Sequence, residues 1–138
     1  PDESQPNFIN AVSEVYSELN PYEILNELKK IEKMFGRKTS KIWGNRVLDL
    51  DILSSGSIIL PNLDIFNMWL KMPFSLQISN QSKVLILPHP RIQDRLFVLQ
   101  PLSEVNPDWI HPVLKKNAQE LINIKNWDKK KFLKIVKN

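Results

Sequence analysis

The fold prediction depends on one stretch of sequence, residues 47–53, which reads VLDLDIL. Apolar residues alternate with two aspartates, and successive side chains of a strand point to opposite faces, so the pattern predicts a strand with a buried face and an acidic face. Asp49 and Asp51 then lie about 7 Å apart on the acidic face. Two carboxylates so placed can share one or two hard cations. A solvated strand face is the alternative, and spacing alone leaves both interpretations open.

Length and composition are those of an ordinary globular protein. The 138 residues predict a single domain over 1–138, and 42% hydrophobic with 25% charged residues is typical of soluble proteins. No apolar run approaches the roughly 20 residues that cross a bilayer. Cysteine is absent, which excludes disulfides and thiolate metal sites and is compatible with a reducing cytoplasm. We therefore expect a cytoplasmic protein without a membrane span.

The net charge of +4 favours an anionic partner, and both ATP and nucleic acid qualify. The excess of lysine can equally reflect base composition. The chain contains only 3 glycines and no glycine-rich phosphate loop, so nucleotide chemistry would have to use side chains and a metal. A nucleic-acid-binding module is favoured by charge alone, and the sequence lacks a clustered aromatic and basic sheet motif.

A helix is predicted over residues 21–35. Asn20 is a suitable N-cap, Pro21 fits the first helical position, and Glu23 completes a capping-box pattern. Gly36 provides a stop. The predicted apolar stripe consists of Ile24, Leu25, Leu28 and Ile31.

The other segments are less regular. Residues 8–19 fit either a helix or a strand, and residues 61–82 look like an insertion with local structure of its own. Residues 84–87 predict a short strand, and 95–99 a helical turn or a strand.

The C-terminal tail, residues 114–138, predicts two short helices, the second over 129–137. This second helix is basic and amphipathic. A peripheral helix that rests its apolar face on the domain is favoured over binding to an anionic membrane or to nucleic acid.

Basic side chains surround the aspartate stretch in sequence. Guanidinium groups suit phosphate oxygens and can stabilise the charge of phosphoryl transfer, although each one alone is more commonly a surface charge. The candidates are Arg37, Arg46, Arg91 and Arg95. His89 and His111 are the only histidines, so a histidine-rich metal site is not expected.

Several motifs occur in the order found in one enzyme family. Residues 43–52 (WGNRVLDLDI) closely resemble the signature RWGPRTLDLDI of the 6-hydroxymethyl-7,8-dihydropterin pyrophosphokinases. Further similar stretches are 8–12 (FINAV), 31–32 (IE), 36–37 (GR), 88–91 (PHPR) and 95–102 (RLFVLQPL). The resemblance covers about residues 5–112, interrupted by the insertion.

The resemblance implies an α+β fold, a ferredoxin-like antiparallel sheet with flanking helices. Family members open with a strand ending in Gly-Ser-Asn, a helix and a second strand, and no such segment precedes Pro1. We therefore expect the N-terminal strand or strands to be missing from this chain, as in a truncated or fragmentary protein.

The implied activity is magnesium-dependent transfer of pyrophosphate from ATP to 6-hydroxymethyl-7,8-dihydropterin, which yields AMP and the pterin pyrophosphate in folate biosynthesis. The expected partners are these two substrates, without nucleic acid or membrane, and the expected state is a monomer. The alternative is an inactive remnant that binds nucleotide or pterin without turnover. A basic nucleic-acid-binding module is the third hypothesis.

The resemblance also implies roles for individual residues. Asp49 and Asp51 would bind two Mg2+ ions and act with Arg37 and Arg46 in catalysis. The implied ATP contacts are Lys29, Glu32, Arg37, Trp43, Arg46, Ile52, His89 and Arg95. Asn10 would hydrogen-bond the pterin ring, which would lie between Phe8 and Phe97.

Three positions depart from the family pattern. Thr39 stands where members commonly have a second arginine, Ile42 replaces the arginine before the tryptophan, and Asn45 replaces a proline. Loss of the second arginine would weaken a loop that closes over ATP, and Lys38 or Lys41 are possible substitutes.

Overall fold

The computed structural model of this chain describes residues 9–35, 48–79 and 84–127. Four predicted site residues, Phe8, Arg37, Trp43 and Arg46, lie outside the described residues, as does the predicted helix 129–137. The chain separates into two compact units. The first takes in Pro1–Val15 with Arg91–Asn138, and the second takes in Tyr16–Pro90.

The second unit begins with helix α1, Pro21–Met34, and its predicted capping box is confirmed. The Asn20 side chain accepts hydrogen bonds from the N–H groups of Tyr22 and Glu23 at 3.0 and 3.1 Å. The Glu23 carboxylate accepts in return from the Asn20 N–H at 2.8 Å. These bonds satisfy backbone donors that have no partner inside the helix, so they fix where α1 begins.

The buried face of α1 differs from the predicted stripe at its C-terminal end. Ile31 is 39% exposed, whereas the neighbouring Glu32 is only 2% exposed. Pro21, Leu25, Leu28 and Glu32 follow the spacing i, i+4, i+7, i+11 and therefore share one face of the helix. A carboxylate thus occupies the core position that the hydrophobic pattern assigned to isoleucine.

Two short helices occupy the predicted insertion. Helix α2 is Leu63–Lys71, and the Asn62 side chain caps it by accepting from a backbone N–H at 3.0 Å. Helix α3 is Phe74–Ser79. The Gln77 amide donates to two carbonyl oxygens at the C-terminal end of α2, at 2.7 and 2.9 Å. The expected local structure of this segment is therefore confirmed.

Strand pairing is sparse in the described part of the chain. Leu60 and Leu87 form an antiparallel bridge, with N–H···O distances of 2.9 and 3.2 Å. Among the described residues, segment 48–53 has no ladder partner, and the predicted strand 84–87 is reduced to the pairing at its last residue. The ferredoxin-like α+β fold stays a prediction.

The first unit is helical. A 3-10 turn, Ile92–Asp94, leads into helix α4, Leu96–Val105, and helix α5 is Ala118–Ile124. Segment 95–99 is thus the beginning of a helix, and α5 confirms the first predicted helix of the tail. Buried apolar side chains of these elements form the core of the unit: Ile92, Leu96, Val98, Leu99, Leu102, Ala118, Leu121 and Ile122.

The ambiguous N-terminal segment is neither helix nor strand from residue 9 to residue 19. No helix within 9–35, 48–79 or 84–127 is both long enough and apolar enough to cross a membrane.

His111 organises the turn between α4 and α5. Its side chain is fully buried, and its Nδ1 atom accepts hydrogen bonds from the N–H groups of Val113 and Leu114, both at 3.1 Å. Because Nδ1 is an acceptor, the neutral imidazole carries its proton on Nε2. Burial lowers the pKa of His111 to about 4, and the positive charge of Lys115 acts in the same direction. The turn is therefore built around an uncharged histidine.

This arrangement predicts that acidification destabilises the first unit. Unfolded histidine has a pKa near 6.5, so between about pH 6.5 and pH 4 the unfolded state binds a proton that the folded state does not. The free energy of unfolding should be insensitive to His111 above this window. It should fall by about 3 kcal/mol as the pH drops through the window. Urea unfolding at a series of pH values measures the change.

Two histidine variants test the assignment. His111→Asn keeps a side-chain acceptor but cannot titrate, so it should lose this part of the pH dependence. His89→Asn should keep it. If the free energy of unfolding of His111→Asn falls with decreasing pH as it does in the wild type, the assignment of this pH dependence to His111 is wrong.

Candidate functional site

The predicted alternation of segment 48–53 is present in the structure. Asp49 and Asp51 are exposed, whereas Leu48, Leu50 and Ile52 are partly buried. The two carboxylates therefore face solvent from a backbone whose apolar side chains turn inward.

Glu32 anchors this segment to α1. Its Oε1 atom accepts a hydrogen bond from the Leu50 N–H at 2.8 Å. Leu50 lies between the two aspartates, so the bond holds the peptide that joins Asp49 to Leu50. The low exposure of Glu32 protects this bond from competing water. The buried carboxylate thus fixes the backbone at the centre of the acidic pair.

The Pro88-His89-Pro90 stretch anchors the other end of the segment. The His89 N–H donates to the Leu53 carbonyl oxygen at 2.7 Å. His89 itself is half-buried, and Leu87 immediately before it is fully buried and bridged to Leu60. Of the residues that the sequence analysis selected, Glu32, Asp49, Asp51 and His89 are therefore connected through the backbone of one segment.

Lys29 and Ile52, two further predicted nucleotide contacts, both belong to the second unit. Lys29 is exposed on α1 and lines a shallow, open groove of that helix with Leu19, Asn26 and Lys33. Ile52 follows Asp51 and is partly buried. Their assignment to the nucleotide stays a prediction.

The first unit contains a group of charged side chains around its 3-10 turn. The Arg95 guanidinium lies 5.9 Å from the centroid of the Phe97 ring, within the range of a cation–π contact. Partial burial lowers the pKa of Arg91, the positive charge of Arg95 lowers it further, and Asp94 opposes the shift. The Asp94 carboxylate also pairs with Lys125. The positive charges of Arg91 and Arg95 therefore act on each other, and the negative charge of Asp94 partly offsets this effect at Arg91.

Asn10, the predicted pterin contact, is exposed in the segment before Val15, and Phe97 is partly buried. The proposed stacking of a planar ring against Phe97 stays a prediction, and Arg95 already covers a face of that ring.

Magnesium suits the donors that the second unit offers. Within the described part of the chain, no group of three or more His, Cys, Asp or Glu side chains is placed to hold a metal ion. Asp49 and Asp51 supply hard oxygen donors from an anchored backbone. Mg2+ commonly takes one or two carboxylates and completes its octahedron with water and substrate phosphates. The pair therefore fits Mg2+ brought with a polyphosphate rather than a site built from protein ligands alone.

Sequence reasoning missed the structural use of Glu32. The resemblance assigned it to the nucleotide, whereas its carboxylate contacts the backbone of the aspartate segment. The signal was the spacing Pro21, Leu25, Leu28, Glu32, which continues the buried face of α1. A carboxylate at such a position requires a donor, because an unpaired buried charge is costly.

If Asp49 and Asp51 hold the metal, as the resemblance implies, a substitution of either should affect metal binding more than the stability of the fold. Asp49→Asn or Asp51→Asn should change the free energy of unfolding by about 0.5 kcal/mol or less, since both side chains are exposed. Either substitution removes a charged ligand and should weaken Mn2+ binding, with a non-hydrolysable ATP analogue present, by at least about tenfold. Electron paramagnetic resonance titration of free Mn2+ measures this.

Asp108→Asn is the matched control, because Asp108 is exposed in the first unit, outside the candidate site. Unchanged Mn2+ binding in both site variants would exclude the aspartate pair as the metal site.

Comparison with known proteins identifies the family. The sequence model of the 7,8-dihydro-6-hydroxymethylpterin-pyrophosphokinase (HPPK) family matches residues 1–107. The 2-amino-4-hydroxy-6-hydroxymethyldihydropteridine pyrophosphokinase of Aquifex aeolicus is 34% identical over 118 residues, which cover 86% of this chain and 61% of that protein. The enzyme of the same name from Synechocystis is 36% identical over 118 residues, covering 86% and 50%.

The Bacillus subtilis enzyme of that name is 37% identical over 103 residues, which cover 75% of this chain and 50% of the relative. The chain thus spans between half and about three-fifths of the length of these relatives. The family match covers most of the chain and includes the anchored aspartate segment. The chain therefore belongs to the 7,8-dihydro-6-hydroxymethylpterin-pyrophosphokinase family.

Proposed function

We propose that this chain transfers pyrophosphate from ATP to 6-hydroxymethyl-7,8-dihydropterin in a magnesium-dependent reaction of folate biosynthesis. One observation carries the proposal: a family chain presents Asp49 and Asp51 to solvent from a backbone fixed at Leu50. A pair of oxygen donors on a hydrogen-bonded backbone suits a metal-bound triphosphate.

Asp49 and Asp51 are proposed to hold the Mg2+ ions. The family resemblance implies that there are two of them. Bound there, magnesium would neutralise the triphosphate and the charge that develops during transfer. Asp49 and Asp51 would hold the metal, and through it they would orient the phosphates of ATP. Arg37 and Arg46 are proposed to contact the phosphates, which places positive charge on the group being transferred.

The pterin hydroxymethyl oxygen is proposed to attack the β-phosphorus of ATP. The new bond joins this oxygen to the β-phosphorus, the bond between the β-phosphorus and the oxygen bridging it to the α-phosphate breaks, AMP leaves, and the hydroxyl proton is lost. Asn10, Phe8 and Phe97 are proposed to bind the pterin, since a planar ring between aromatic side chains is held at fixed orientation. His89 and Arg95 are proposed to contact the nucleotide.

An inactive remnant that binds nucleotide or pterin without turnover is the second candidate. The observation that favours it is Thr39, which stands where family members commonly have a second arginine. A cytoplasmic, monomeric protein that acts without nucleic acid or membrane remains our expectation for either candidate.

Release of AMP from ATP and 6-hydroxymethyl-7,8-dihydropterin distinguishes the two candidates. The assay should be run on this chain and on the same residues within the complete gene product that contains them. Magnesium-dependent AMP formation in either protein supports the proposed activity. Turnover only in the complete product would assign the remnant behaviour to the isolated chain, and no turnover in both would contradict the proposal.

Asp51→Ala should reduce AMP formation by at least about 100-fold, because metal stabilisation of the transferred group contributes several kcal/mol. The measurement is the initial rate at saturating ATP and magnesium, with Asp108→Asn as the control. Full activity of Asp51→Ala would refute the metal site while leaving the family assignment intact.

A further inference from the structure

We infer that Glu32 is a positioning residue of the metal site, whose buried carboxylate holds the Leu50 N–H and thereby sets the directions of the Asp49 and Asp51 side chains. This inference rests on the proposed function and deepens it. It also replaces the role that the family resemblance implied for Glu32, a direct contact with ATP.

The burial of Glu32 is the first step. The side chain is 2% exposed, and it lies on the same face of α1 as Pro21, Leu25 and Leu28. A carboxylate is retained at such a position only if it is well solvated by hydrogen-bond donors, since transfer of an unpaired charge from water is strongly unfavourable. The 2.8 Å bond from Leu50 is one such donor. Glu32 is therefore placed to bind protein backbone.

The position of Leu50 is the second step. Each peptide is planar, so its orientation is set by the two dihedral angles on either side of it. The bond to Glu32 holds the peptide that joins Asp49 to Leu50, which is one of the two peptides between the Asp49 and Asp51 side chains, and so restrains their relative directions. A metal ligand is useful only when held near its productive direction, and groups that orient ligands affect metal affinity by 10–100-fold in known sites.

A second hydrogen bond holds the other end of the aspartate segment. The Leu53 carbonyl oxygen is held by the His89 N–H at 2.7 Å, on the far side of Asp51. Loss of the Glu32 bond should therefore release one side of the segment while the other stays attached. The expected defect is a looser pair of aspartates in a folded protein.

Substitutions at Glu32 separate the acceptor from the charge. Glu32→Gln keeps an oxygen that can accept from Leu50, whereas Glu32→Leu fills a similar volume without an acceptor. Glu32→Asp keeps the charge but shortens the side chain, so the carboxylate is withdrawn from Leu50. Glu104→Leu in α4 is the matched control, because Glu104 is exposed.

The test measures the Mn2+ dissociation constant of each variant by electron paramagnetic resonance, with a non-hydrolysable ATP analogue at saturation. Glu32→Leu should weaken Mn2+ binding by at least about tenfold, and Glu32→Gln by less than about threefold. Hydrogen exchange of the Leu50 amide should accelerate in Glu32→Leu and stay slow in Glu32→Gln. Glu104→Leu should match the wild type in both measurements.

Three results would overturn the inference. Unchanged Mn2+ affinity in folded Glu32→Leu would leave Glu32 no positioning role. A weaker affinity for the ATP analogue at saturating Mn2+, with normal Mn2+ binding, would make it a nucleotide contact. A lower melting temperature with wild-type Mn2+ affinity would make it structural only. If Glu32→Leu does not fold, Glu32→Asp replaces it in the test. We expect Glu32→Asp to bind Mn2+ at least about threefold more weakly than the wild type, and an unchanged affinity would contradict the inference.

The same experiment separates this inference from the proposed function. One outcome is that the wild type binds Mn2+ and loses affinity on substitution of Glu32, yet forms no AMP. That result would retain the positioning role of Glu32 and reject the transfer reaction. AMP formation at the same rate in the wild type and in the Glu32 variants would support the transfer reaction and reject the positioning role.

Discussion

The hydrogen bond from the Leu50 N–H to the Glu32 carboxylate is the interaction on which the candidate site depends. It joins the buried end of α1 to the backbone between the two exposed aspartates, so the position of the helix decides how those aspartates are presented. The capping box at Asn20 fixes the start of the helix, and the spacing along one face then carries Glu32 into the interior. Local sequence signals thus place Glu32, and its hydrogen bond to a donor 18 residues away then holds the backbone between the two aspartates.

Anchoring on both sides distinguishes this segment from an ordinary solvated strand face. Glu32 holds the amide of Leu50, and the backbone of His89 holds the carbonyl of Leu53, whose neighbourhood is in turn fixed by the bridge from Leu87 to Leu60. Carboxylates serve as metal ligands only when they are held near a productive direction, and these hydrogen bonds restrain the backbone that carries the two aspartates. That restraint supports the proposed site for a divalent cation and a polyphosphate in this chain, which belongs to a pyrophosphokinase family.

The sequence predicted best what depends on neighbouring residues. The capping box, the helix that it begins and the alternation around Asp49 follow from interactions within a few positions, and the structure confirms them. The burial of Glu32 in place of Ile31 was missed, because a hydrophobicity pattern cannot show that a backbone donor distant in sequence will meet the carboxylate. His111 was considered only as a metal ligand. Its place inside a turn depends on a backbone geometry, including the positive φ of Lys115, that composition does not reveal.

A crystal structure with Mn2+ and an ATP analogue that carries a methylene group between its α- and β-phosphorus atoms would show whether Asp49 and Asp51 hold the metal while Glu32 holds the Leu50 N–H. Anomalous scattering locates the metal without reference to any assumed ligand. We expect Mn2+ to be coordinated by carboxylate oxygens of both Asp49 and Asp51, with the Glu32 carboxylate still accepting from the Leu50 N–H. Mn2+ bound by the analogue alone, or by Glu32 turned away from Leu50, would contradict it.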